Sequence, residues 1–220
     1  MDPSLPPERT GAPPHPRLVP AADDHRGVLV WTWSDRGRAL SSASVGGGLA
    51  QPRWALNIGV PLDYGRTDLA AHAAVMAVRL GLDGPGVALF TAADVRRRRR
   101  AEAGGVVVDA TVGITKPTWA ADPDGGWTDW NPRLGPGTIN LVAQLPVALE
   151  AGALINAVMT MTEAKTQALL EAGVPGTGTA SDAVLIRCPD RGPAERFAGP
   201  RSVWGARLAR AVHAAVAAGL

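Results

Sequence analysis

Residues 153–188 read ALINAVMTMTEAKTQALLEAGVPGTGTASDAVLIRC, and three kinds of pattern follow one another in this stretch without a break. Up to residue 172 the apolar positions recur at helical spacing, with Leu154, Val158, Met161 and Ala168 on one side. Asn156, Thr160, Glu163 and Gln167 form a polar stripe on the other. The spacing predicts a helix over 150–172, the longest of the chain. Residues 176–182, GTGTASD, predict a loop, and residues 182–188 predict a strand. A helix dense in hydroxyl and charged groups thus runs into a Gly/Thr loop that ends in a carboxylate.

Outward from there, 138–147 reads as a strand and 116–136 as a long loop carrying Trp119, Trp127 and Trp130. Further upstream, 27–33, 55–60, 87–92 and 106–114 have strand composition. A turn at 35–37 predicts that 39–44 returns beside 27–33 as a hairpin. Thr67 is placed to cap a helix running to about residue 80, with Asp68 in its first turn and Gly81 ending it. Ser202 is placed to cap a last helix to about 218. Strands come two or three in a row before the first helix, and again at 87–114. That order predicts an α+β fold, a mixed sheet with helices packed on it, in a single domain. Residues 1–24 are rich in Pro, Ala and charge and predict a disordered leader, with the folded domain spanning 25–220.

With 220 residues, 46% of them hydrophobic, the chain can build one large core. Its apolar runs are broken well before the length of a membrane span, so no membrane partner is expected. The N-terminus lacks the layout of a secretion signal, and the one cysteine, Cys188, excludes an internal disulfide. Both point to the cytoplasm. The formal charge of +2 hides a run of five arginines at 96–100. It is compact and has no aromatic neighbour, so it predicts a solvated, mobile segment rather than a nucleic-acid site. Four scattered histidines and one cysteine have no ligand spacing, so no metal site is expected.

Lys165 stands out on the long helix, because it projects into the apolar side between Met161 and Leu169, flanked by Thr162 and Thr166. Either its stem packs while the ammonium reaches water, or a cleft cuts this side and Lys165 and Thr162 point into it. Glu163 lies nearly opposite Lys165 on the helix. In the loop, Thr177, Gly178 and Thr179 suit an oxyanion cradle, and Asp182 is the best carboxylate for general acid–base work. The loop matches no Walker A or dinucleotide fingerprint. Ser41 and Ser42, followed by Gly46, Gly47 and Gly48, form a second loop suited to close ligand approach. A serine triad is disfavoured, because His72 and His213 read as structural helix residues. Cys188, at a strand end, reads as buried rather than nucleophilic.

Several stretches in one order resemble the adenosylcobinamide amidohydrolase family. They are SSASVGGG (41–48), TAADV (91–95), VDATVGI (108–114) with ADP (121–123), PGTINL (136–141), ALINAVMTMTEAKTQAL (153–169), TGTASD (177–182) and FAGPRSVWGARLARAV (197–212). The TEAKT block followed by TGT-x-x-D is the specific part. The resemblance implies hydrolysis of the amide linking aminopropanol to the corrin ring of adenosylcobinamide, with adenosylcobyric acid as product. It implies a corrinoid small-molecule substrate that brings its own cobalt, and no cofactor of the protein's own. It adds Asn140 of the PGTINL block to the substrate-binding candidates. Gly47, Lys116 and Arg201 depart from residues usual in the family, and the His replaced by Arg201 motivates a second reading, a corrinoid- or tetrapyrrole-binding protein without hydrolase activity. On the first reading Asp182 or Glu163 activates water, the amides of 46–48 or 177–179 hold the oxyanion, and Lys165 polarises the carbonyl. A homo-oligomer is left open.

Overall fold

In the computed structural model the described residues are 13–123 and 137–220. Among these residues twelve strands and three helices follow in order: β1 (Arg17–Val19), β2 (Val28–Thr32), β3 (Gly37–Ser41), β4 (Gly48–Ala50), β5 (Trp54–Gly59), α1 (Leu69–Arg79), β6 (Gly86–Thr91), β7 (Arg99–Ala103), β8 (Val106–Gly113), β9 (Thr138–Gln144), β10 (Ala148–Leu149), α2 (Ala151–Glu171), β11 (Ala183–Pro189), β12 (Ala194–Glu195) and α3 (Val203–Ala217). A single 3₁₀ turn, Val95–Arg97, precedes β7. The α+β class stands, with strands and helices within a residue or two of most predicted bounds.

The strands divide between two mixed sheets and one short pair, β10 with β12. One sheet has the order β1-β2-β5-β6, the other β4-β3-β11-β9-β8-β7. Each contains one parallel neighbour pair, β5 with β6 and β9 with β11. Those pairs are bridged by α1 and by α2, so each sheet is built around one strand–helix–strand crossover.

Burial sorts the layers. Leu29, Trp31, Ala55, Val87 and Leu89 of the smaller sheet pack against Ala39, Val142 and Leu185 of the larger. The outer face of the smaller sheet is covered by Ala73, Met76 and Ala77 of α1. That of the larger is covered by α2 and α3, through Leu154, Met161, Leu169, Leu208 and Val212. The order is therefore helix, sheet, sheet, helix pair. A strand covered on both faces reads as an apolar run, which is why β2 and β5 are so plain in the sequence.

Between the sheets the layer is unusually polar. Asn57 donates to Thr111 (2.9 Å) and accepts from Asn140 (2.9 Å), and Trp33 donates to Gln144 (2.9 Å). Asp109, 2% exposed, accepts from Trp31 (3.1 Å) and Arg100 (3.1 Å) and pairs with Arg98.

Four expectations are corrected. The hairpin of 27–33 with 39–44 does not form: β2 pairs with β1 and β5, while β3 crosses to the other sheet and pairs with β11 and β4. Arg187 holds that crossover by donating to the Asp35 carbonyl (2.9 Å) and carboxylate (3.0 Å). The leader of 1–24 is ordered at its end, because β1 finds backbone partners along β2, and the carbonyls of Pro13 and Pro14 accept from Arg100. Residues 1–12 lie outside the described residues. The arginine run is solvated only in its first half: Arg96 and Arg97 are exposed, whereas Arg98, at the end of the 3₁₀ turn, and Arg100, in β7, pair with Asp109, and Arg99 on the other face of β7 donates to the Ala218 carbonyl. Finally Asp68, not Thr67, holds the cap position of α1, and its carboxylate is spent on Arg66 (2.7 and 2.8 Å) instead of the helix. Ser202 caps α3 as expected, accepting from the Gly205 amide at 3.0 Å.

Candidate active site

The β9–α2–β11 crossover lays the second half of α2 over the start of β11. This sets Lys165, four turns into the helix, against Asp182, the residue before the strand. Their side chains form an ion pair, 9% and 13% exposed. Lys165 therefore neither snorkels to the surface nor stands alone in a cleft. Burying a lysine next to Met161 and Leu169 is tolerable because the carboxylate lies within reach.

Asp182 is saturated. Besides Lys165 it accepts from the Ile139 amide (2.9 Å), the Thr179 amide (3.2 Å) and the Thr179 hydroxyl. The donors come from three elements, so one carboxylate ties α2, the Gly/Thr loop and β9 together. Gly178 lies directly against the pair: a Cβ there would collide with both Asp182 Oδ2 and Lys165 Nζ.

The rest of the loop is tied to its neighbours. Thr166 donates to the Thr177 carbonyl (3.1 Å), and the Thr177 amide donates to the Thr118 carbonyl (3.0 Å). Thr118 returns a bond to the Gly178 carbonyl (2.9 Å). Thr138 and Ser181 share a hydroxyl–hydroxyl bond of 2.9 Å. An open groove of about 410 Å³ runs along α2, lined among the described residues by Thr162, Glu163, Thr166, Gln167, Leu170 and Glu171; Thr166 is the lining residue that bonds to the loop. The Glu171 carboxyl is held below its ordinary value by hydrogen bonds from Gln167 and His213.

Most of the residues singled out in the sequence meet here: Lys165, Asp182, Thr177, Gly178 and Thr179 at the pair, Thr162, Glu163 and Thr166 on the groove. Thr160, expected on the polar stripe, is buried and donates to the Ala198 carbonyl (2.8 Å). Amides of 177–179 do not form an open oxyanion cradle, since those of Thr177 and Thr179 already donate within the protein.

Other candidates stand elsewhere. Asn140 faces the inter-sheet layer, where it donates to Asn57 and to the Phe90 carbonyl (2.9 Å). Ser41 donates to the Val184 carbonyl (2.8 Å) and Ser42 accepts from the Val184 amide (3.0 Å), which ties their loop to β11. Gly46 and Gly47 have no room for a side chain, because backbone of Gly86 and Ala43 stands against them. Gly46 and Gly47 thus serve backbone packing on the sheet edge, while Gly48 has open space around it and a left-handed φ of 84°. Trp119 is exposed, and Trp127 and Trp130 lie outside the described residues. Sequence reasoning missed Thr138, Ser181 and the Ile139 amide, although PGTIN and TGTASD contain them.

A family model described as adenosylcobinamide amidohydrolase matches residues 15–220. The chain belongs to the adenosylcobinamide amidohydrolase family. Membership makes it an enzyme, an amidohydrolase. A relative from Halobacterium salinarum, named adenosylcobinamide amidohydrolase, is 36% identical over 202 residues, 89% of this chain and 85% of the relative. One from Methanosarcina mazei with the same name is 37% identical over 97 residues, 40% of this chain and 48% of its own. Among solved structures, the PH0078 protein from Pyrococcus horikoshii OT3 covers 93% of this chain and 82% of its own at 10% identity, with a TM-score of 0.42. That likeness is too loose to bear on function. The family's match takes in both the α2 block and the Gly/Thr loop, the two pieces that the ion pair joins. No helix among the described residues is long and apolar enough to cross a membrane.

Proposed function

We propose that this enzyme hydrolyses the amide between aminopropanol and the propionyl side chain of the corrin ring in adenosylcobinamide. The products are adenosylcobyric acid and free aminopropanol, and the reaction serves corrinoid salvage in the cytoplasm. The observation that carries the reading is the meeting of Lys165 and Asp182, drawn from the two most specific sequence blocks, with Gly178 against the pair; the loop that holds it is bonded through Thr177 to Thr166, which lines an open groove along α2. Cobalt enters with the substrate, and the protein needs no cofactor of its own.

A groove of about 410 Å³ suits the amide-bearing arm and is too small for the macrocycle with its adenosyl ligand. The arm lies along α2 past Thr162 and Thr166, and the ring rests outside. In the reaction the C–N bond breaks, the acyl carbon keeps an oxygen that derives from water, and the amine leaves with a proton. Asp182 is the proton acceptor and Lys165 the cation beside the developing oxyanion. Glu163 is exposed on the groove wall, on the far side of α2 from the pair, and contacts the arm rather than the reacting carbon.

The test is incubation with adenosylcobinamide followed by mass analysis of the corrinoid. Adenosylcobyric acid and free aminopropanol are expected. A corrinoid that co-elutes with the protein and keeps its aminopropanol refutes the hydrolase reading and favours a binding role.

A further inference from the structure

Asp182 has no lone pair left over for a water molecule, because four donors already surround it. Three of those donors are an ammonium and two backbone amides. The fourth is the hydroxyl of Thr179, and it alone becomes an oxygen nucleophile when its proton moves to the carboxylate.

The other hydroxyls of the two blocks are committed differently. Thr160 donates to the Ala198 carbonyl, Thr162 to the Val158 carbonyl (3.0 Å), Thr166 to the Thr177 carbonyl, and Thr177 to the Thr118 carbonyl (3.4 Å). Ser181 bonds to Thr138 and to the Gly137 carbonyl (3.3 Å). A backbone carbonyl is a poor base. Within these blocks only Thr179 gives its proton to a carboxylate, and that carboxylate is held in place by a third group, Lys165. Hydroxyl, base and orienting group in one chain of contacts is the arrangement that activates a weak oxygen nucleophile.

From this we infer that Thr179 is the nucleophile of the amide hydrolysis, and that the reaction runs through an ester on its side chain. The inference rests on the reaction proposed above. In the first half, Thr179 Oγ1 bonds to the acyl carbon and its proton passes to Asp182. The C–N bond then breaks with its electron pair on nitrogen, which takes the proton from Asp182, and aminopropanol leaves. In the second half, water bonds to the acyl carbon and gives a proton to Asp182. The carbon–Oγ1 bond breaks, Thr179 recovers that proton, and the acid is released. Lys165 stays beside the carboxylate throughout.

Thr179 is half-exposed, so an acyl group can reach it, and its loop borders the groove through the Thr166–Thr177 bond. The amide of Thr179 holds the second oxygen of Asp182, so the backbone keeps the base in register when the hydroxyl is replaced.

The experiment has two arms on the full chain. In the first, wild-type enzyme turns over adenosylcobinamide in the presence of hydroxylamine, and acid-quenched samples are digested for mass analysis. A corrinoid hydroxamate, with a corrinoid ester on the peptide bearing Thr179, is expected. In the second, Thr179→Ser and Thr179→Val are compared after both are shown to fold by their circular dichroism. Serine should keep turnover within about 10-fold and valine should lose about 10³-fold or more, with KM little changed in both. Adenosylcobyric acid accumulating with neither hydroxamate nor ester overturns the inference, as does turnover by Thr179→Val near the wild-type rate. In either case the amidohydrolase reading stands. Failure of wild-type enzyme to form adenosylcobyric acid overturns both.

Discussion

Gly178→Ala puts one methyl group against the Lys165–Asp182 pair. The φ of Gly178 is not in the left-handed region, so the backbone accepts alanine without strain. The whole effect therefore comes from the side chain. The ammonium and the carboxylate oxygen must each retreat by about 1 Å to reach ordinary contact with the new Cβ. A misplacement of that size at reacting groups costs on the order of 10²-fold in rate. Overpacking a tight site costs about 1–3 kcal/mol in stability. The assay is kcat/KM with adenosylcobinamide, alongside urea unfolding of the same preparation. A fall of roughly 10²-fold in kcat/KM with a modest loss of stability is expected. If Gly178→Ala turns over at the wild-type rate and unfolds at the wild-type midpoint, the pair is not where catalysis happens.

Gly152→Ala is the companion substitution, since Gly152 lies in α2 with nothing within 4 Å of a new Cβ. It should add about 0.4–1 kcal/mol of stability in urea unfolding and leave turnover unchanged. Asp109→Asn leaves Arg98 and Arg100 without their buried anion and should cost about 3–5 kcal/mol by the same measurement; a cost under about 1 kcal/mol would mean the cluster is not a stabilising core. His72 is buried against Phe90 and Tyr64, and burial lowers its pKa below the ordinary 6.5. The unfolded chain therefore binds the proton first as pH falls through 6.5. The His72 contribution is complete above that pH and declines below it until the folded-state value is reached, so Tm against pH should be flatter in His72→Phe. Cys188 is fully buried and its thiol is raised by burial, so a thiol reagent at pH 8 should label it only after denaturant is added.

Much of the fold was legible because its signals are local. Helical spacing from 150 to 172 anticipated α2, the Ser202 cap anticipated α3, and β-branched runs anticipated β8, β9 and β11. Lys165 was visible as an anomaly, a charge where the helix should be apolar. Strand partnership was less legible. The run 39–44 has the length and turn of a hairpin arm, but both faces of 28–32 are buried, and its neighbours are chosen by the layers on either side. The five arginines looked solvated throughout because nothing in the run itself announces that Asp109, on the neighbouring strand, draws Arg98 and Arg100 inward while Arg96 and Arg97 stay exposed. Asn140 looked like a ligand contact because nothing in its own segment announces that Asn57, distant in the chain, faces it across the two sheets.

By itself, then, the sequence determined the α+β class, the helices, the family, and the two blocks from which the site is built. These depend on residues within a turn or a strand of one another, or on short motifs. Only the tertiary structure decided that the strands form two sheets face to face, that Gly46 and Gly47 serve packing, and that Asp182 is held by four donors with Thr179 as its one hydroxyl. The contacts at Asp182 join segments through the crossover of α2 over β9 and β11, and the sheets meet through residues distant in the chain. Their free energy comes from desolvated groups finding partners in space, and spacing along the chain does not encode which partners those are.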